Sequence, residues 1–169
     1  MSKPFTQITD YEPKALIKHS FQRSFLVNSD TLDVWRWIND PRTFIDAQLP
    51  PYRVEFVPER FEVGVLNNHH GPGLNLPAVI TVMEEPKYRE MRYLYGSYVI
   101  SPRIIRPTLI QFWLKPTDNG ATQLRLVLQS WVHPWLSGPW TAFQKLFWCG
   151  FSLTINRGVA RHAQRIETL

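Results

Sequence analysis

The chain has 169 residues, 44% hydrophobic and 20% charged, with a formal net charge of +5. That balance describes a globular protein large enough for one real core and excludes a disordered chain. The lone cysteine, Cys149, excludes an internal disulfide or a multi-cysteine metal site, and no Lys/Arg run marks a patch for sequence-specific nucleic acid.

Aromatic residues are the outlier at 14%, seven of them tryptophan. Such side chains bury much area, and they also line cavities and membrane interfaces. The first residues, MSKPFTQITDYEPK, lack the apolar run of a secretory signal. The most apolar stretch, Trp131 to Ile155, is interrupted by His133, Pro134, Gly138, Pro139, Gln144 and Lys145, so it does not read as a membrane span. A cytoplasmic location is the expectation.

Residues 1–13 show no period and read as an arm, leaving 14–169 as one domain. From Ala15 the chain alternates, with Ile17, Phe21, Phe25 and Val27 opposed to Lys18, Ser20, Gln22 and Ser24, the pattern of a half-buried strand. Ser29 or Asp30 can cap a helix over Thr31–Asn39, which Asp40-Pro41 stops. A second short helix or turn, Arg42–Gln48, ends at Pro50-Pro51.

From Tyr52 the period is two. Val54 and Phe56 alternate with Arg53 and Glu55, and Val63 and Val65 lead in phase to Asn67 and His69. Gly71-Pro72-Gly73 is a turn, followed by an apolar run from Ala78 to Met83. In Arg89–Val99, Met91, Tyr93, Tyr95, Ser97 and Val99 share a face. Ile110, Phe112 and Leu114 form the next strand; Asp118-Asn119-Gly120 is a hairpin signal; Leu124, Leu126, Leu128, Ser130 and Val132 follow in one phase.

The remainder, from Ser137, reads as one helix roughly 45 Å long at about 1.5 Å per residue. Trp140, Phe143, Phe147, Phe151, Ile155, Gly158, His162 and Ile166 fall on one stripe, with Lys145, Cys149, Ser152, Asn156 and Gln164 opposite. Antiparallel strands with one apolar face need a cover, and this helix is the adequate candidate. The expected fold is α+β: a curved antiparallel sheet of about seven strands wrapped on a long C-terminal helix, with two short helices after the first strand.

This order, with its VNSDTLDVWRWINDPRTF segment (Val34 to Pro41 at its centre), its Asp118-Asn119-Gly120 hairpin and its terminal amphipathic helix, resembles the START-like (SRPBCC, helix-grip) superfamily over Ala15 to Leu169. The resemblance implies a hydrophobic or amphipathic molecule held between sheet and long helix. Some such proteins bind lipids, sterols, quinones or hormones, and others are polyketide cyclases or dehydratases. The glycine-rich loop of the plant-allergen branch is absent, Gly71-Pro72-Gly73 being the nearest stretch.

No metal, cofactor or catalytic constellation is visible. His69 and His70 are adjacent on a strand and point to opposite faces, which disfavours a shared metal. Cys149 lies away from the apolar stripe, and no Gly-x-Ser-x-Gly elbow exists. His69 with Asn67 reads either as a solvated strand end or as an inward polar pair that orients a ligand. His162 reads either as a core histidine bonded to a partner or as a cavity contact. The phenylalanines read most simply as core, while Gly150 and Gly158 admit a close neighbour or leave space for a ligand.

The function expected is binding, with transport as its extension, of a small hydrophobic or amphipathic ligand in a cavity between the sheet and the C-terminal helix. Phe56, Tyr93, Tyr95, Phe112, Phe147 and Phe151 are the expected wall, and Asn67, His69, Ser130 and His162 the polar contacts. A cyclase- or dehydratase-like enzyme using His69 or His162 is one alternative. A peripheral membrane or ribosome-associated module is another, using Trp131, Trp135 and the strip Arg157, Arg161 and Arg165, with weak membrane-surface contact. Oligomeric state is left open.

Overall fold

The computed structural model describes residues 12–45, 48 and 50–167, with side chains as far as residue 163. Most of the arm, Leu49, and the side chains of Gln164, Arg165 and Ile166 therefore lie outside the described residues. Eight strands form one antiparallel sheet: β1 (Ile17–Val27), β2 (Arg53–Val57), β3 (Leu66–Gly71), β4 (Leu74–Glu84), β5 (Tyr88–Tyr93), β6 (Tyr98–Val99), β7 (Ile105–Pro116) and β8 (Thr122–Val132). Among the described residues four α-helices accompany them, α1 (Thr31–Ile38), α2 (Pro41–Ile45), α3 (Ser137–Phe147) and α4 (Phe151–Glu167), with a short 3-10 turn, Pro134–Leu136, leading into α3.

The strand order is β1-β8-β7-β5-β4-β3-β2, with the short β6 bridging β4 and β7. Register shifts at Ile80/Val82 in β4 and at Pro107/Leu109 in β7 interrupt the ladders. Such irregularities bend a strand and deepen its twist, which lets a single sheet curl around a helix. The alternation from Tyr52 onward is a record of this curl, since residues of one parity line its concave side. Phe25, Phe56, Ile80, Met91, Phe112, Leu124 and Leu126 all join one buried cluster there.

Asp30 is the cap of α1, its carboxylate accepting from the Leu32 and Asp33 amides at 2.8 and 2.9 Å. α1 and the first half of α4 then close the core through Val34, Trp37, Ile38, Ile155 and Val159. The Asp118-Asn119-Gly120 turn joins β7 to β8, with Gly120 at φ +77°, a left-handed backbone that glycine adopts without strain.

The C-terminal element differs from the expected single helix. It breaks at Trp148–Gly150, between α3 and α4. Gly150 is a poor helix former, and the Trp148 indole turns back to donate to the Gln144 side-chain oxygen at 2.9 Å, which locks the break. Past it, Ile155 and Val159 are buried, whereas Phe143 and Phe147 are exposed. Beyond the buried Trp140 the stripe is thus surface in α3 and core in α4. No helix among the described residues is long and apolar enough to cross a membrane.

Candidate functional site

The concave face carries its polar groups in rows set by strand register. Phe56, Asn67, Ala78 and Tyr93 stand in line across β2, β3, β4 and β5, all buried. The next row is Val54, His69 and Leu76. Asn67 donates from Nδ2 to the Met91 sulfur at 3.8 Å. The inward phase of Asn67 and His69 follows from Val54, Phe56 and Ala78 beside them. His70, of the opposite phase, faces Glu55, with 3.6 Å between Nε2 and Oε1.

Burial and, second, the charge of His70 pull the His69 imidazole down to about 4, so it is neutral near pH 7. Burial pushes the Tyr93 phenol up to about 12, against the opposing pull of Arg89. The concave face therefore carries an uncharged imidazole and an uncharged phenol, in separate rows. Such groups fix the orientation of a bound molecule by hydrogen bonds.

A pH prediction follows from His69. Its folded value lies below the ordinary 6.5, so the unfolded chain binds the proton more tightly. The stabilisation is complete above pH 6.5 and is lost as pH falls toward 4, by about 3 kcal/mol for a shift of this size. His69→Asn is expected to flatten that acid decline in melting temperature. Parallel declines in wild type and variant between pH 6.5 and 4 would show that His69 is not the group responsible. His19, lowered by burial in the same direction, contributes equally to both proteins.

Arg89 is the residue that the pattern reading passed over. It shares the phase of Met91 and Tyr93, so parity alone places it inward, and it is 1% exposed. Its guanidinium lies over the rings of Phe112 (4.6 Å), Phe61 (4.8 Å) and Phe44 (5.7 Å). Nη1 donates to the Ile38 carbonyl and, at 3.0 Å, to Asn39 Oδ1, while Nε has no partner. The arginine thus caps the C-terminal end of α1, where a cation is favoured, and fixes the helix against β5. Burial draws its pKa down to about 9, which leaves it charged at neutral pH.

Ser130 is buried opposite His19 in register. Thr141 donates its hydroxyl proton to the Ser137 carbonyl at 2.9 Å and lies 2.8 Å from His19 Nε2, so His19 is the donor there and its buried Nδ1 lacks a partner. This contact, with the Arg23 guanidinium donating to the Lys145 carbonyl at 2.8 Å, holds α3 along β1.

Three expected site residues are placed differently. Tyr95 is 65% exposed, because β5 ends at Tyr93 and the chain turns through Gly96 at φ +95°. Phe147 is 63% exposed, on the outer side of α3. His162 is not a trough contact: its Nε2 lies 3.2 Å from Asp40 Oδ2 and ties α4 to the junction of α1 and α2. Gly158 leaves no room for a ligand either, since a Cβ there would stand 2.5 Å from the Trp37 ring. Phe56 and Phe112 are in the buried cluster, and Phe151 packs on it, 5.1 Å from Phe25.

The trough is not closed along its whole length. Leu76, Leu128, Trp148 and Phe151 pack on the core cluster from the inward side, yet each is partly open to solvent. A cleft of about 430 Å³ lies at the β7 irregularity, lined by Lys18, Arg92, Gln129 and Trp131 of the convex side and also by His19 and the expected contact Ser130.

No family model matches this chain, and no curated protein matches it. Solved structures do. Protein MLL2253 from Mesorhizobium loti superposes with a TM-score of 0.64 at 19% identity, over 85% of this chain and 98% of that one. Norcoclaurine synthase from Thalictrum flavum, solved with dopamine and hydroxybenzaldehyde, gives 0.63 at 12% identity, over 88% and 90%. CalU16 from Micromonospora echinospora gives 0.54 at 13% identity, over 89% and 90%. The chain has the helix-grip fold. At these identities the likeness concerns the fold alone.

Proposed function

We propose that this helix-grip chain binds a small hydrophobic or amphipathic ligand in the trough between the concave sheet face and the C-terminal helices, and carries it. The observation that supports this most is that apolar side chains packed on the inward core cluster, Leu76, Leu128, Trp148 and Phe151, remain partly open to solvent, on a sheet face that also carries the neutral polar groups His69 and Tyr93. Apolar burial supplies affinity in such a site and a few polar groups set the pose. A fold shared with a synthase solved around two small aromatic molecules is in keeping with this reading.

Catalysis is less well supported. An imidazole near 4 is a weak base and a phenol near 12 a weak acid, both far from the range in which proton transfer at neutral pH is efficient. Native mass spectrometry of the purified protein is the test, with extraction of any bound molecule. A copurified apolar species is expected, and His69→Phe or Tyr93→Phe is expected to weaken its rebinding about five- to tenfold, the worth of one hydrogen bond. A ligand-free protein that also binds none of a panel of fatty acids, sterols and quinones would end the proposal.

A further inference from the structure

The amphipathicity of α3 is inverted. Its sheet side presents Thr141 and the buried Gln144 alongside Trp140, while Pro139, Ala142, Phe143, Leu146 and Phe147 face solvent. Phe143 is 50% exposed and Leu146 71%, and Leu153 at the start of α4 and Trp135 before α3 are equally open. A surface helix of a globular protein normally shows the reverse. An outward apolar face this large marks an interaction surface.

The charges around it define the partner. From Asn119 to Ile166 the sequence contains no acid, and its cations there include Lys145, Arg157 and Arg161. Lys145 is within α3, and Leu153, Arg157 and Arg161 recur at four-residue spacing along α4, all exposed. An outward apolar helix face with an indole at its start, a lysine within it and exposed arginines on the helix that follows has the composition that seats a helix in the headgroup layer of an anionic bilayer. A second copy of this chain would bring Lys145 and its neighbours against their own like charges, which opposes that occupant.

We propose that α3 docks flat on an anionic lipid surface, with Phe143, Leu146 and Phe147 in the apolar layer and Lys145, Arg157 and Arg161 against the headgroups. The contact is made by the outside of α3, so it stands whether or not the trough holds a ligand. The rings of Trp140, Phe143, Phe147, Trp148 and Phe151 follow one another at 5.0 to 5.9 Å from this face to the core. The docked face is therefore linked to the core cluster by an unbroken run of ring contacts.

The test is flotation of the full chain with vesicles of phosphatidylcholine alone and with about 30% phosphatidylglycerol. Binding is expected only to the anionic vesicles, and it weakens as salt rises from about 0.05 to 0.5 M. Leu146→Ser with Phe147→Ser is expected to reduce it at least about tenfold. Lys145→Glu is expected to reduce it by a smaller factor, and circular dichroism should show both variants folded. Absence of binding to either vesicle, or unchanged binding by the folded Leu146/Phe147 variant, overturns the proposal. Concentration-dependent self-association that the same variant abolishes, without vesicle binding, overturns it in favour of a second copy.

Discussion

Arg89→Ala is expected to lower the unfolding free energy by about 3–5 kcal/mol, the largest loss of any single change considered for this fold. Three contributions combine. The side chain is almost wholly buried, so its removal leaves a void among Phe44, Phe61 and Phe112. The carbonyl of Ile38 and the side-chain oxygen of Asn39 lose their donor. Against these, one buried cation is removed, which returns part of its desolvation cost. Arg89→Met separates the terms, because it keeps most of the volume and loses the donors and the charge. We expect it to cost less than about 2 kcal/mol. Urea unfolding measures both, and an alanine variant within about 1 kcal/mol of wild type would mean that α1 does not depend on this tether.

The second large effect is expected at Gly158. A Cβ there would lie 2.5 to 2.6 Å from three atoms of the Trp37 ring. Trp37 is itself buried, with Phe151 6.4 Å away, so the indole has no free direction in which to move. Alanine in the middle of a helix gains about 1 kcal/mol of helix propensity over glycine, and the overlap opposes it by about 1–3 kcal/mol or more. We expect net loss for Gly158→Ala and a larger one, about 3 kcal/mol, for Gly158→Val. For a chain of this length, 3 kcal/mol corresponds to a fall in melting temperature on the order of 6–12 °C. Trp37→Leu made with Gly158→Ala should recover part of the loss, as a double-mutant cycle would show. A Gly158→Ala protein more stable than wild type would contradict the close approach.

Parity was the informative signal in this sequence. The alternation through Phe56, Asn67, Met91, Phe112 and Leu126 placed these side chains on the concave face, where the structure has them. The same parity pointed to Arg89, but charge suggests a solvated position, and nothing local reveals that a helix end with free carbonyls waits above it. Tyr95 shows the limit of extrapolating a period, because the strand stops two residues earlier. In α3 the stripe was real, yet a periodic stripe states which residues share a face and not what lies against it. The contacts that turn that face outward, Thr141 to His19 and the Lys145 carbonyl to Arg23, join residues 122 positions apart.

The convex side holds a different kind of construction. Glu90 accepts from Thr81 Oγ1 at 2.9 Å, Tyr88 OH at 2.7 Å, Gln111 Nε2 at 3.0 Å and Arg92 Nε at 2.8 Å. Burial alone would raise its pKa, but these donors outweigh it and hold the carboxylate at about 2. The donors come from β4, β5 and β7, so the three central strands are stitched from outside by groups that take no part in lining the trough. The inner side chains of those strands can therefore change in size or polarity while the curvature of the wall is kept, so that what the concave face offers is separated from what holds its shape.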